Sequence, residues 1–119
     1  MIIEPYQMYD ACRTTSMTTT THELQHPRRD QLQLAAVLHA LSDPVRLRIV
    51  AGLARGGERT CGSFELPVTK STCTHHFRVL REAGVIHQRA DGTRRVNTLR
   101  RDDLDVRFPG VVDAILDAA

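Results

Sequence analysis

The sequence predicts a mainly helical domain carrying one small β-hairpin, an α+β arrangement. Three observations point there. Apolar residues recur at three- and four-residue spacing through most of positions 28–83, the period of helices with one buried face. After Gly84 the period shortens, and Asp91-Gly92 supplies a hairpin turn between two strand-like runs. The chain has no Trp and only 4% aromatic residues, so its core must be aliphatic, which favours packed helices over a β-sandwich. At 119 residues it is long enough for one domain with a modest core.

Residues 1–27 are aperiodic, contain the run Thr18–Thr21 and close on Pro27; they read as a flexible tail ahead of a domain at 28–119. Met17 opens MTTTTHELQHPRRDQ, an ordinary-looking start, so no function is expected of residues 1–16. His22 and His26 are one helical turn apart but lack a third ligand nearby, and read as solvated tail residues. Arg28–Leu41 reads as a helix apolar on more than one side, so a partner chain is its expected second cover. Asp43 is a good N-cap for the next helix and Pro44 suits its first position. That helix should run to about Ala54, with Val45, Leu47, Ile49, Val50 and Leu53 inward, Arg46 and Arg48 exposed, and Gly56-Gly57 as its stop.

Between Glu58 and Val68 only about one helical turn, near Cys61–Leu66, fits before Pro67. It reads as the first helix of a helix-turn-helix, with Leu66-Pro67-Val68 as the turn. The second helix is Thr69–Gly84: Thr69 can cap its start and Gly84 can end it in the left-handed conformation. Cys73, His76, Phe77, Leu80 and Ala83 form its inward stripe, while Ser71, Thr74, His75 and Arg78 lie opposite. Short hydroxyls followed by His and Arg suit a helix whose first turns enter a DNA major groove. Val85–Arg89 and Arg94–Leu99 are the strands of the hairpin, a wing whose Arg89, Arg94 and Arg95 flank the tip. In the last segment Asp102 or Asp103 can cap a short helix, Phe108-Pro109-Gly110 breaks it, and Val111, Val112, Ile115 and Leu116 give a final helix one apolar face. Leu34, Val37, Leu38 and Leu41 pair with that face as the expected homodimer interface.

Charge sharpens the reading. Positions 70–101 hold eight cations against Glu82 and Asp91, net +6, and seven of the eight are Arg. The remaining C-terminal residues are net −4, and the overall charge is only +2. A localised Arg-rich block is the footprint of a nucleic-acid surface. The expected DNA-facing set is Lys70, Ser71, Thr72, Thr74, His75 and Arg78 from the helix, with Arg89, Arg94 and Arg95 from the wing.

The stretch Leu41-Ser42-Asp43-Pro44-Val45-Arg46-Leu47-Arg48-Ile49, then KSTCTHHFRVLREAG at 70–84, then the hairpin with Asp91-Gly92, resembles the ArsR/SmtB family of winged-helix repressors. The resemblance covers Leu32 to Leu99 and implies a homodimer built on the first and last helices. It implies one recognition helix per protomer in successive major grooves of a palindromic operator, with repression relieved by a small inducer. The metal-sensing patterns of that family are not matched. Where one site uses Cys-x-Cys, this chain has Cys61-Gly62-Ser63, and the terminal segment that elsewhere pairs Asp with His has no His. His75 and His76, adjacent on a helix, point about 100° apart and cannot chelate together. No metal and no cofactor are therefore expected. Three cysteines without a CxxC pair argue against a disulfide framework and a structural zinc site. Cys61 is the candidate thiol sensor, while Cys73 on the inward stripe reads as a small buried hydrophobe.

Two other classes compete. One is a winged helix used for protein–protein assembly, against which the polar, Arg-bearing recognition face speaks. The other is a small enzyme, against which the missing phosphate loop and nucleophile–base pair speak. No apolar run approaches the ~20 residues of a membrane helix, and the start has no signal-peptide core, so a cytoplasmic location is expected.

Overall fold

The computed structural model describes residues 24–119. The expectations for residues 1–23, including His22 and Cys12, lie outside the described residues. Five α-helices and a three-stranded antiparallel sheet follow in the order α1 (Leu34–Ala40), α2 (Pro44–Gly56), β1 (Arg59–Thr60), α3 (Lys70–Ala83), β2 (Ile86–Asp91), β3 (Arg94–Leu99), α4 (Arg101–Arg107) and α5 (Val111–Ala118). The α+β winged helix-turn-helix expected from the sequence is what forms.

The first helix is shorter than its pattern suggests. Arg29–Gln31 is a single 3-10 turn, and Leu32 and Gln33 are extended before α1 begins. The interruption has a tertiary cause. Leu32 is fully buried, and its carbonyl accepts a hydrogen bond from Arg107 Nη2 on α4 at 2.7 Å. Arg29 Nε pairs with Asp103 Oδ1 at 2.7 Å in the same place. Asp103 thus bridges Arg29 and Arg100 and caps nothing; the residue ahead of α4 is Arg100, without a side-chain cap.

Other signals fold as their chemistry dictates. Asp43 Oδ2 accepts from the backbone N–H groups of Val45 and Arg46, at 2.8 and 3.2 Å, and Pro44 opens α2. Ile49, Val50 and Leu53 enter the core, whereas Val45 and Leu47 are only half-buried. The core joins Leu32, Val37 and Ile49 to Phe77, Leu80, Ile86, Leu104 and Val112. Arg46 contradicts the sequence reading: only 8% exposed, it lies inside the fold.

The helix-turn-helix also differs in its first part. The expected turn of helix at Cys61–Leu66 is only a 3-10 turn at Cys61–Ser63, with Phe64 extended. Phe64 instead lies against Phe77, ring centroids 5.7 Å apart, with the Arg59 guanidinium over the Phe64 ring, 3.9 Å from its centroid. The sheet order is β1-β3-β2, with β1 pairing Arg59 to Asn97 and Thr60 to Val96. The hairpin register runs from Ile86 opposite Leu99 to Asp91 opposite Arg94.

Gly84 ends α3 with φ +85°, and a Cβ there would overlap Leu32 Cδ2 and meet Pro27 Cγ at 3.1 Å. Gly92, at the wing tip, has φ +63° and open space around it. Gly84→Ala should therefore destabilise by about 2–4 kcal/mol, from left-handed strain plus overpacking, while Gly92→Ala costs about 1 kcal/mol. Urea unfolding of the two variants measures the difference; equal losses would show that Leu32 yields without cost.

Candidate nucleic-acid interface

The recognition surface is a consequence of how α3 is anchored. Thr69 Oγ1 accepts from Thr72 N at 3.3 Å, fixing the first turn, and Gly84 fixes the last. His76, Phe77, Leu80 and Ala83 are buried and Cys73 is half-buried, as the inward stripe requires. The same rotation leaves Lys70, Ser71, Thr72, Thr74, His75 and Arg78 exposed on one side. Not all are equally free. Thr72 Oγ1 accepts from Thr69 Oγ1 at 2.9 Å, and the Thr74 hydroxyl donates back to the Lys70 carbonyl at 3.0 Å, leaving its lone pairs outward.

The wing arginines separate into two kinds. Arg89 pairs with Glu58 at 3.1 Å and Arg94 with Asp91 at 3.2 Å, all exposed. No carboxylate of the described residues pairs with Arg95 or with Arg78. Both lie close enough to Arg81 to act on its charge. Burial pushes the Arg81 guanidinium below the ordinary arginine value; Glu82 opposes this, and Arg95 and Arg78 add to it. A concentration of guanidinium groups between recognition helix and wing is a ready phosphate-facing surface. Composition signals the block, but only the fold shows that Arg89 and Arg94 of the wing are paired with carboxylates while Arg95 beside them is not.

Behind this surface lies a polar joint that the sequence reading missed. Gln88 on β2 and Asn97 on β3 face each other in the register and are 2% and 0% exposed. Arg81 Nη1 donates to Gln88 Oε1 at 2.8 Å. Gln88 Nε2 and Asn97 Nδ2 both reach Cys61 Sγ, at 3.5 and 3.3 Å, and Asn97 Nδ2 also donates to the Arg59 carbonyl at 3.1 Å. Cys61 therefore sits where the first part of the helix-turn-helix, the recognition helix and both wing strands converge. Cys73 behaves as expected of an inward thiol: burial, and then Cys61 nearby, pushes its pKa up. Among the described residues no group of three or more His, Cys, Asp or Glu side chains is placed to hold a metal ion.

A second polar centre joins α2 to α3. Arg46 Nη1 donates to His76 Nδ1 at 3.1 Å, which makes that nitrogen an acceptor and the imidazole neutral. Asp43 Oδ2 is 3.9 Å from the same nitrogen, too far to displace that contact. Burial lowers the His76 pKa; Asp43 raises it, and Arg46 and His75 lower it further.

Residues 24–27, read from the sequence as the end of the tail, are held against the wing. His26 Nε2 accepts the Gln88 backbone N–H at 2.9 Å, and its ring stacks on His87 with centroids 4.4 Å apart. The Pro27 carbonyl accepts from Arg100 Nη1 at 2.7 Å. The expected interface residues also divide. Val37, Leu41 and Val112 are buried within the protomer; Val111, Ile115 and Leu116 are half-buried; Leu34 and Leu38 are exposed at 43% and 45%.

The chain is similar to known proteins over this same region. A family model described as a helix-turn-helix domain matches residues 41–89. An uncharacterised HTH-type transcriptional regulator of Bacillus subtilis, YceK, is 35% identical over 89 residues, which cover 72% of this chain and 88% of that protein. Among solved structures, an ArsR family transcriptional regulator superposes with a TM-score of 0.58 at 22% identity, covering 71% of this chain and 89% of its own. The transcriptional repressor BigR of Xylella fastidiosa superposes with a TM-score of 0.51 at 28% identity, covering 63% and 85%.

The His26 contact carries a pH dependence. Burial, and then the stacked His87, with smaller contributions from Arg81 and Arg100, lower its pKa to about 4, against a raising hydrogen bond with Leu24. Between about pH 6.5 and 4 the unfolded chain holds this proton and the folded chain does not. Stability should therefore fall as pH drops through that window, by on the order of 1 kcal/mol for a half-exposed group. Urea midpoints between pH 7 and pH 4.5 should drop less in His26→Gln; parallel slopes would show that the imidazole is not held neutral.

Proposed function

We propose that this chain, which belongs to the ArsR-type helix-turn-helix transcriptional regulators, works as a homodimeric repressor. Each protomer sets the outward face of α3 into one of two successive major grooves of a palindromic operator, with the wing beside the flanking phosphates. The observation that carries this reading is the split of α3 itself: Phe77 and Leu80 are buried, while Ser71, Thr74, His75 and Arg78 share the exposed side. The apolar side chains left outside the protomer core, Leu34 and Leu38 on α1, support burial against a second copy, with Val111, Ile115 and Leu116 on α5 completing that face. The likeness to BigR, itself described as a transcriptional repressor, supports repression over activation. Release follows binding of a small molecule of unidentified structure. No helix among the described residues is long and apolar enough to cross a membrane.

The test is a fluorescence-anisotropy titration against the DNA upstream of the protein's own gene, with a shuffled control, across salt concentrations. Arg78→Ala should cost about 1–3 kcal/mol of specific affinity if its guanidinium reads a base edge. Arg95→Ala should reduce the slope of log affinity against log salt by about 0.9, and Arg94→Ala by less because Asp91 already neutralises it. No binding even at low salt would overturn the reading in favour of a protein-assembly module.

A thiol-based form of the regulation is favoured by one observation: two buried amides, from Gln88 and Asn97, direct N–H groups at Cys61 Sγ. Attack of this sulfur on a peroxide breaks the O–O bond, leaves water and gives a sulfenic acid, whose added oxygen presses on both wing strands. Hydrogen peroxide should then weaken operator binding by the wild type severalfold and leave Cys61→Ser unaffected. Equal behaviour of the two proteins removes Cys61 from the regulation.

A further inference from the structure

The sequence places Arg46 on the outside of α2, and the fold puts it inside, where one guanidinium engages three groups on two other helices. Nε donates to the Ala40 carbonyl at 2.6 Å, and Nη2 to the His39 carbonyl at 3.2 Å. Both carbonyls belong to the last turn of α1, and the His39 carbonyl also accepts the Ser42 N–H at 3.1 Å and the Ser42 hydroxyl at 2.6 Å. The third contact, from Nη1 to His76 Nδ1 at 3.1 Å, reaches the middle of the recognition helix. His76 is itself 8% exposed, and it directly follows His75 and lies two residues before Arg78, both on the outward face. A buried guanidinium must satisfy its donors, because each one left open costs most of its desolvation. The end of α1 and the middle of α3 are thus held to one rigid, planar group, and neither can shift without breaking a charge-assisted hydrogen bond.

We infer that Arg46 is a positioning residue for DNA recognition: it sets α3 against α1 through neutral His76, and protonation of His76 undoes that setting and weakens operator binding. The inference rests on the DNA-binding reading above. An imidazolium has no lone pair at Nδ1, so it cannot accept from Arg46, and two cations then face each other in a buried site. The charged and titratable groups facing His76 are Asp43 and Arg46 at the start of α2, and His75 on α3 itself. Of these only Asp43 favours the imidazolium, and it is committed to capping α2. Because α1 also carries the exposed Leu34 and Leu38, the arrangement ties the surface offered to a second protomer to the tilt of the recognition helix.

The experiment measures operator affinity and the His76 titration side by side. Wild-type affinity should be flat from pH 8 to about 6.5 and fall below it. His76→Asn keeps an acceptor near the Nδ1 position and cannot take up a proton. It should bind within about twofold of wild type at pH 7.5 and stay flat down to pH 5.5. Arg46→Met should lose about tenfold or more in affinity at pH 7.5, the size of a lost hydrogen bond to a charged group. In the same variant the His76 resonances of DNA-free protein, followed by NMR, should titrate at a higher pH than in wild type, because one lowering cation is gone. A merely structural role would not move that midpoint. A parallel fall of wild type and His76→Asn below pH 6.5 would overturn the inference. So would an Arg46→Met protein with wild-type affinity and an unmoved His76 midpoint. If wild type fails to bind the operator at every pH, the DNA reading fails, and the His76 midpoint in DNA-free protein still decides whether Arg46 holds that ring.

Discussion

The display of α3 depends on the burial of Phe77 and Leu80. These two side chains, 1% and 0% exposed, pin one edge of a helix whose other edge is built of groups that gain nothing from burial. Each contributes about 1.5–3 kcal/mol by leaving water. That burial decides which face of the helix turns outward, and with it Ser71, Thr74, His75 and Arg78, since they are on the same rigid helix a fraction of a turn away. Phe64, its ring tilted against that of Phe77, extends the anchor to the chain just ahead of the turn. The short, irregular start of the helix-turn-helix is thus compensated by an aromatic contact in place of a second long helix.

Much of this was legible in the sequence, for physical reasons. The ends of α2 and α3 are local devices: Asp43, Pro44, Thr69 and Gly84 act within a few residues of themselves, so their roles survive any tertiary arrangement. The hairpin was equally local, with Asp91-Gly92 setting its turn. The outward residues of α3 followed from helical geometry. What was missed is what distance in sequence conceals. Leu32 leaves the helical path to fill space beside Gly84, far along the chain. Two residues at Arg59–Thr60 carry no period by which a strand could be seen. Arg46 looked solvated because most arginines are; its burial requires His76 and two helix-end carbonyls, thirty and about six residues away respectively, to be brought to one point. Gln88 and Asn97 occupy strand positions where a core residue is expected to be apolar. Their polarity makes sense only once Arg81, Cys61 and the Arg59 carbonyl surround them.

The two polar centres divide the labour of the fold. The apolar core tolerates small slips, because dispersion is non-directional. Hydrogen bonds in a low-dielectric interior are directional and costly to leave open, so they fix angles that packing leaves loose. One centre, at Gln88 and Asn97, sets the wing against α3. The other, at Arg46, sets α1 against α3. A DNA-reading surface built from a helix and a hairpin needs both angles at once, since each groove accepts its element in a narrow range of tilts.

The segment from His26 to Leu32 has a consequence beyond the contacts it makes. Among the described residues β2 is an outer strand of the sheet, paired only with β3, and its far side carries backbone donors that another chain could pair with. His26 occupies one of them, the Gln88 N–H, with an imidazole nitrogen in place of a strand carbonyl. A side chain that terminates a sheet in this way gives an incoming strand nothing to continue. The segment ahead of the first helix therefore covers part of the open β2 edge, and a domain boundary drawn at residue 28 would cut it away.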